Sequence, residues 1–234
     1  MARILGILGG MGPAATVAFL DRLVTLTPAE HDEDHIRVLM DMNPQVPNRH
    51  RNPPGAAEAL GRMAISLRDM GAQVLAMPCN TAHAHAAAIR AAGLPFIDMI
   101  EQTATAAVQT GAQRIGILAM PGGQDLYVAE LERQGRGAVV LNTDDRRVFL
   151  DTVFAVKRGD VGAGQRAEMR RLAAALVSDG AQVVIAGCTE VPLLLAPEDV
   201  TVPLVDSAEV LAMACIAACI STSPYDQCPA DSVI

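Results

Sequence analysis

Two cysteines stand at matching places in two segments that resemble each other. Cys79 ends the segment 71–79 (GAQVLAMPC), and Cys188 ends the segment 180–188 (GAQVVIAGC). Each cysteine follows a short apolar run that is typical of a buried strand. Cysteine can do chemistry at such a position because its thiolate is a good base and nucleophile. The matched positions predict that both thiols lie in one active site.

Two opposed thiols suit the inversion of a carbon centre. One thiolate would remove the Cα proton of an amino acid from one face, and the other thiol would return a proton to the opposite face. The roles exchange for the other enantiomer, so no cofactor is needed. A helix N-terminus beside each sulfur would lower the thiol pKa and offer N–H groups to a carboxylate. The competing interpretation is a pair of buried structural cysteines, which the matched positions disfavour.

The two halves of the chain repeat each other at two more places. Residues 3–8 (RILGIL) resemble 114–118 (RIGIL), and residues 94–98 (LPFID) resemble 202–206 (VPLVD). All the pairs recur at nearly one interval of about 110 residues, which is the size of a compact domain rather than of a solenoid repeat. The sequence therefore predicts two α/β halves with the same strand order.

Strands and helices alternate along the chain, a pattern typical of βαβ units with parallel sheets. We predict an α/β fold of two pseudo-symmetric parallel-sheet domains, with the active site in the cleft between them. The first domain comprises residues 1–100 plus 207–234, with a returning C-terminal helix, and the second comprises 101–206. Helices are predicted to follow the two cysteines closely, over 81–92 and from 189 onwards.

Composition and charge exclude several classes of protein. The 234 residues are 51% apolar but only 3% aromatic, so aliphatic side chains must fill the core. A net charge of −8 leaves no basic stripe to meet phosphates, which argues against a nucleic-acid partner. No apolar run is long enough to span a membrane, and the N-terminus does not resemble a secretory signal. Five cysteines without a framework spacing favour a reduced, cytoplasmic compartment.

Three motifs together resemble the signatures of the aspartate/glutamate racemase family, whose members work without pyridoxal phosphate. They are 6–13 (GILGGMGP) with Thr16, 77–83 (MPCNTAH) and 187–190 (GCTE). The resemblance implies two α/β domains, a paired-cysteine active site, no cofactor and a homodimer. The reaction that it implies is racemisation of a small acidic amino acid, aspartate or glutamate.

The same resemblance carries roles over to individual residues. Cys79 and Cys188 take the acid and base roles. Arg49, in a loop rich in proline, would hold the distal carboxylate of the substrate, for which a guanidinium is a good fork. Lys157 would also contact the substrate. The full set expected to bind or line the substrate is Met11, Gly12, Asn43, Arg49, Asn80, Thr81, Lys157 and Thr189.

Two neighbours of the cysteines have less certain roles in the sequence. Glu190 would either tune Cys188 or cap the N-terminus of a helix, and the sequence does not separate these two interpretations. His83 lies four residues after Cys79, but no further Cys or His follows at the spacing of a metal site, so we expect no metal.

The sequence departs from the family pattern in two loops that we expect to face the substrate. The segment 120–127 (MPGGQDLY) is shorter than its family counterpart and lacks that segment's threonines, and His50 stands where the family often has Thr. These changes bear on the identity of the substrate more than on the type of reaction. The alternatives are a related paired-cysteine isomerase, of the maleate isomerase or hydantoin racemase type, and a non-catalytic protein that binds a small molecule in the same cleft.

Overall fold

The computed structural model describes residues 2–48 and 51–220 and contains two four-stranded parallel sheets. The strand order is β2-β1-β3-β4 in the first sheet and β6-β5-β7-β8 in the second, which confirms the predicted α/β class and the common strand order. The strands are β1 (Leu5–Gly9), β2 (Val38–Met42), β3 (Val74–Ala76), β4 (Phe96–Ile97), β5 (Arg114–Leu118), β6 (Gly137–Val140), β7 (Val183–Ala186) and β8 (Leu204–Asp206).

Eight α-helices connect and cover the strands in the part of the chain described. They are α1 (Pro13–Leu26), α2 (Pro53–Asp69), α3 (Ala86–Arg90), α4 (Met99–Gln109), α5 (Pro121–Arg133), α6 (Thr143–Lys157), α7 (Ala163–Ser178) and α8 (Ser207–Ile220). No helix within these described ranges is long and apolar enough to cross a lipid bilayer.

The helices predicted directly after the two cysteines are wrong in detail. The chain after Cys79 forms a 3₁₀-helix, Thr81–His85, and then only the five-residue α3, because His85 leaves helical geometry (φ −109°, ψ 16°). After Cys188 the chain forms two separate 3₁₀ turns, Val191–Leu193 and Pro197–Asp199. Each turn has a proline in its first two positions, and proline suits the start of a helical turn but disrupts the interior of a longer helix.

The repeated Gly-Ala-Gln segments hold equivalent strands together in the two halves. Gln73 Oε1 accepts a hydrogen bond from the N–H of Ile4 at 2.9 Å, just before β1. Gln182 Oε1 accepts one from the N–H of Gln113 at 2.7 Å, just before β5. The amide side chain thus satisfies a backbone donor just before the first residue of an interior strand. This explains the glutamine at both places.

The alanine of each repeat packs on a glycine of the neighbouring strand. A Cβ placed on Gly6 of β1 would lie 2.8 Å from Cβ of Ala72, and one on Gly116 of β5 would lie 2.9 Å from Cβ of Ala181. Because such contacts are closer than packed carbon atoms allow, glycine is required opposite alanine at both positions. The two halves therefore share the same alanine-on-glycine packing as well as the same sequence pattern.

Helices α4 and α8 each cover the sheet of the other half of the chain. Ile100 and Ala104 of α4 lie in one core with Ile115 and Ile185 of the second sheet. Helix α8 instead joins the core of β1 and α1. Its buried residues there are Ala208, Leu211, Ala212, Cys215, Ile216 and Cys219. The division into 1–100 plus 207–234 and 101–206 stays a prediction, and residues 221–234 of it lie outside the described chain.

The strand order places a crevice at the carboxyl edge of each sheet. In the first sheet the chain runs from β1 to its neighbour β2 on one side, and β3 then pairs with β1 on the other side. The same reversal occurs around β5 in the second sheet. Open α/β sheets bind ligands where the strand order reverses in this way. The loops after β1, β3 and β7 therefore occupy the positions expected for a binding site.

Candidate active site

One cavity of about 320 Å³ lies where the loops at the carboxyl ends of the two sheets meet. Both Cys79, three residues after β3, and Cys188, two residues after β7, line it. Their side chains are almost fully buried, at 7% and 6% exposure. The other lining residues are Gly10, Met11, Gly12, Asn48, Asn80, Thr81, Met120, Phe154, Lys157, Gly187, Thr189 and Glu190.

The backbone of Cys79 is held by a buried histidine. His83 Nε2 accepts the N–H of Met99 at 3.0 Å, so the ring proton resides on Nδ1, which donates to the carbonyl oxygen of Cys79 at 2.9 Å. Burial lowers the pKa of His83, which keeps the ring neutral. Both ring nitrogens are engaged by backbone groups. His83 therefore positions the cysteine loop, and its ring is not turned towards a ligand in the cavity.

Asn80 is fixed by residues from two other helices. Its Oδ1 accepts a hydrogen bond from the hydroxyl of Tyr127 at 2.5 Å, and its Nδ2 donates to Ser207 Oγ at 3.2 Å. The ring of Tyr127 also lies against Gly187, where an added Cβ would be only 2.6 Å away. One buried tyrosine thus contacts the residue after Cys79 and the residue before Cys188. Both ends of the Asn80 side-chain amide, which we predicted to bind substrate, make these hydrogen bonds within the protein.

Cys188 is bonded to an acid rather than activated by a helix. Its Sγ donates to Oε2 of Glu190 at 3.0 Å. Burial and the negative charge of Glu190 raise the pKa of the Cys188 thiol well above its usual range. The expectation that a helix dipole would lower this pKa is wrong, because the chain after Cys188 forms 3₁₀ turns and a carboxylate sits beside the sulfur.

A lysine from α6 completes a chain of contacts to Cys188. Lys157 Nζ forms an ion pair with Oε1 of Glu190, while Thr189 Oγ1 donates to Oε2 of Glu190 at 3.3 Å. Burial alone would raise the pKa of Glu190, but the Lys157 charge and the hydrogen bonds hold it below its usual value. Glu190 is therefore a buried carboxylate, 7% exposed, with its charge balanced by Lys157. The sequence left open whether Glu190 tunes Cys188 or caps a helix. In the structure its side chain contacts Cys188 and makes no capping hydrogen bond.

The structure brings most of the predicted substrate residues into the cavity wall. Met11, Gly12, Asn80, Thr81, Lys157 and Thr189 all line it.

Asn43 is not among the residues that line the cavity. Its Oδ1 accepts the N–H of Gln45 at 3.0 Å, and its backbone lies against Gly10, where an added Cβ would meet it at 2.4 Å. Asn43 therefore shapes the loop after β2 and the floor of the cleft. Arg49 and His50 lie outside the described residues, and Asn48, the last described residue before them, lines the cavity.

Two lining residues were missed in the sequence. Asn48 directly precedes Arg49, the residue of this loop that we predicted to bind substrate. Phe154 lies three residues before Lys157 on α6, on the same helical face, and is 46% exposed at the cavity. The spacing from Lys157 was a usable signal for Phe154, because residues three apart on a helix share a face.

Comparison with known proteins identifies the family to which the chain is similar. The profile of the Asp/Glu/Hydantoin racemase family matches residues 8–215. The broad specificity amino-acid racemase RacX of Bacillus subtilis is 25% identical over 217 residues, which cover 89% of this chain and 95% of that protein. A glutamate racemase of Pseudomonas paraeruginosa is 30% identical over 176 residues, covering 68% of this chain and 63% of that enzyme.

A solved structure has the same fold. The aspartate racemase of Picrophilus torridus superposes with a TM-score of 0.82 at 27% identity, covering 93% of this chain and 94% of that one. The motifs, the fold and the family match agree with one another. The chain therefore belongs to the Asp/Glu/Hydantoin racemase family, and the expectation of an isomerase that racemises amino acids is confirmed.

Proposed function

We propose that the protein is a cofactor-independent racemase of aspartate or glutamate that uses Cys79 and Cys188 as its two acid–base groups. One observation carries the proposal: both cysteines end equivalent strands of the repeat and line the same cavity of about 320 Å³. Buried structural cysteines would have no reason to occupy matched positions at the two ligand-binding edges of the sheets. The relatives named aspartate racemase and glutamate racemase support the same chemistry.

The reaction needs a base and an acid on opposite faces of Cα. In one direction Cys79, as thiolate, accepts the Cα proton, the electron pair passes into the adjacent carboxylate, and Cys188 donates its proton to the other face. Cys79 ends as a thiol and Cys188 as a thiolate. The charge that builds on the carboxylate requires hydrogen-bond donors. Thr81, two residues after Cys79, supplies a hydroxyl donor at the cavity wall, whereas the hydroxyl of Thr189 donates to Glu190 in the empty cleft.

The cations expected at or near the cavity support an acidic substrate. Lys157 is the one cation among the described lining residues, and Asn48, which also lines the cavity, directly precedes Arg49 in the sequence. Because Lys157 is already paired with Glu190, a distal carboxylate would pair with Arg49, as the family resemblance implies, in a charge-assisted hydrogen bond. Because the family description also includes hydantoin racemases, a hydantoin is the competing substrate class.

Exchange in deuterated water tests the proposal. The reduced protein is incubated with each enantiomer of aspartate, glutamate and a 5-substituted hydantoin, and Cα–H loss and chirality are followed together. We expect exchange and inversion with an acidic amino acid. The Cys79→Ser and Cys188→Ser variants should lose inversion, and Cys219→Ser, which removes a thiol outside the cavity, should keep it. Full activity in both cleft variants would show that the pair is not catalytic.

We further propose that the enzyme acts as a homodimer in the cytoplasm, as the resemblance to its family implies. Reduced thiols at Cys79 and Cys188 are required by the mechanism, and a reducing compartment would maintain them. Sedimentation equilibrium under reducing conditions tests the dimer, and a monomeric mass at assay concentration would refute it.

A further inference from the structure

The two cysteines occupy equivalent places in the repeat, but their surroundings differ in charge. The segment after the first is Cys79-Asn80-Thr81, and the matching segment after the second is Cys188-Thr189-Glu190, so Glu190 stands where the first half has threonine. Among the lining residues within the described chain, Glu190 is the one acid and Lys157 the one cation. Glu190 contacts the sulfur of Cys188, while the charge of Lys157 is paired with Glu190 and acts on both cysteines. The symmetry of the fold is therefore broken at the site of proton transfer.

The contacts of Glu190 define what it does to the sulfur. Its Oε2 accepts the thiol proton of Cys188 at 3.0 Å and the hydroxyl proton of Thr189 at 3.3 Å, while its Oε1 is held by Lys157. These contacts fix the carboxylate in one orientation. A carboxylate accepts hydrogen bonds and cannot donate one, so this geometry is satisfied only while Cys188 keeps its proton.

Loss of that proton would place two anions next to each other. A Cys188 thiolate would lie about 3 Å from the Glu190 carboxylate, in a buried site where charge repulsion is weakly screened. The charged groups that face Cys188 are Glu190 and Lys157, and Lys157 is already paired with Glu190. The lysine therefore offsets only part of the repulsion. The protonated thiol is the stable form in the empty cleft.

On the basis of the proposed racemase function, we propose that Glu190 is a positioning residue that holds the proton on Cys188 in the empty enzyme, so that Cys79 is the base in the first turnover. The resting enzyme then accepts the enantiomer whose Cα proton faces Cys79. In that turnover one S–H bond forms at Cys79 and one breaks at Cys188. The proton returns from Cys79 to Cys188 through solvent, or the opposite enantiomer reverses the transfer.

The test measures the protonation of each cysteine without any substrate. The protein is treated briefly with iodoacetamide from neutral to alkaline pH, and alkylation of Cys79 and Cys188 is quantified by peptide mass spectrometry. Only the thiolate is alkylated, so the rate reports the ionised fraction. We expect Cys188 to react only above the range of an ordinary thiol, whose pKa is about 8.5. A Cys188 that reacts with an ordinary or lower midpoint would overturn the proposal.

Two substitutions should move the Cys188 profile in opposite directions. Glu190→Gln removes the negative charge and leaves Lys157 beside the sulfur, so alkylation of Cys188 at neutral pH should rise about tenfold or more, equivalent to about one pH unit. Lys157→Gln leaves the carboxylate uncompensated and should shift the profile upwards. Glu132→Gln, which makes the same charge change on the exposed face of α5, should leave it unchanged.

A purely structural role for Glu190 would not produce shifts of opposite sign. An unshifted or upward-shifted profile in Glu190→Gln, or a downward shift in Lys157→Gln, would overturn the proposal. Should Glu190→Gln fail to fold, Lys157→Gln still decides the question. Because the assay contains no substrate, its outcome is independent of whether the protein racemises aspartate, glutamate or a hydantoin.

Discussion

Replacing Tyr127 with phenylalanine should loosen the loop of the first cysteine while leaving the core filled. The Tyr127 hydroxyl is fully buried and donates to Asn80 Oδ1 at 2.5 Å, and burial raises the pKa of Tyr127, so the hydroxyl stays protonated. Tyr127→Phe keeps the ring that packs on Gly187 and removes only the donor. Asn80 is 4% exposed, so its oxygen loses a partner in a place that water reaches poorly.

The cost follows from that buried acceptor. Leaving a buried polar atom without its partner costs about 1–3 kcal/mol of the free energy of unfolding. A chain of this length loses about 2–4 °C in Tm for each kcal/mol, so Tyr127→Phe should lower Tm by about 4–8 °C if the cost is about 2 kcal/mol. Since Asn80 adjoins Cys79, kcat/KM should also fall, by about tenfold to a hundredfold, as misplaced catalytic groups do.

Thr27→Val provides the matched control. It removes a buried hydroxyl that donates to the carbonyl of Leu23 at 2.6 Å, at the far end of α1. That helix starts at the cavity and spans 14 residues, so Thr27 lies about 20 Å from the site. Urea unfolding and racemase assays are run on both variants. The reasoning is refuted if Tyr127→Phe costs less than about 0.5 kcal/mol, or if both variants lose the same share of kcat/KM.

Three further predictions concern stability. Burial lowers the pKa of His83, so the unfolded chain binds a proton more readily; the free energy of unfolding should fall as pH drops below about 6.5, by up to about 1.4 kcal/mol per pH unit. Urea midpoints test this, and His83→Gln should flatten the curve. Burial raises the pKa of Cys215 and of Cys219, so above about pH 8.5 the unfolded chain loses these protons first and stability should fall as pH rises. Cys215→Ala should reduce that slope, and an unchanged slope would contradict the assignment. Gly10→Ala should cost about 3 kcal/mol or more, because Gly10 has φ +94° and its Cβ would overlap the loop after β2. Gly12→Ala, whose Cβ meets nothing within 4 Å, is the stability control.

The repeat made the fold predictable from the sequence. The segments around Gln73 and Gln182 recur because each glutamine binds the backbone before a strand and each preceding alanine packs on a glycine. Because both halves have the same strand order, both have this packing requirement, and the same residues therefore recur in the sequence. The same reasoning placed Cys79 and Cys188 in one cavity, since both follow equivalent strands.

The electrostatic detail of the site could not be predicted in the same way. Glu190 meets Lys157 across 33 positions of the chain, and Asn80 meets Tyr127 across 47. Neither contact has a local pattern, because both depend on how helices pack against the sheet edges. Whether Asn80 faces the cavity or another helix therefore needed the structure. The predicted lowering of the Cys188 thiol pKa is wrong for the same reason. The chain after Cys188 forms 3₁₀ turns instead of a long helix, and the sequence does not show that Glu190 contacts the sulfur.

The exchange of α4 and α8 between the halves has a consequence for synthesis of the protein. Phe19 of α1 and the inner face of the first sheet are covered by α8, which begins only at Ser207. The first half emerges from the ribosome long before α8 is made. Its apolar face is therefore exposed during synthesis, and chaperones can bind it. We expect the two halves to complete their folding together, in one late step.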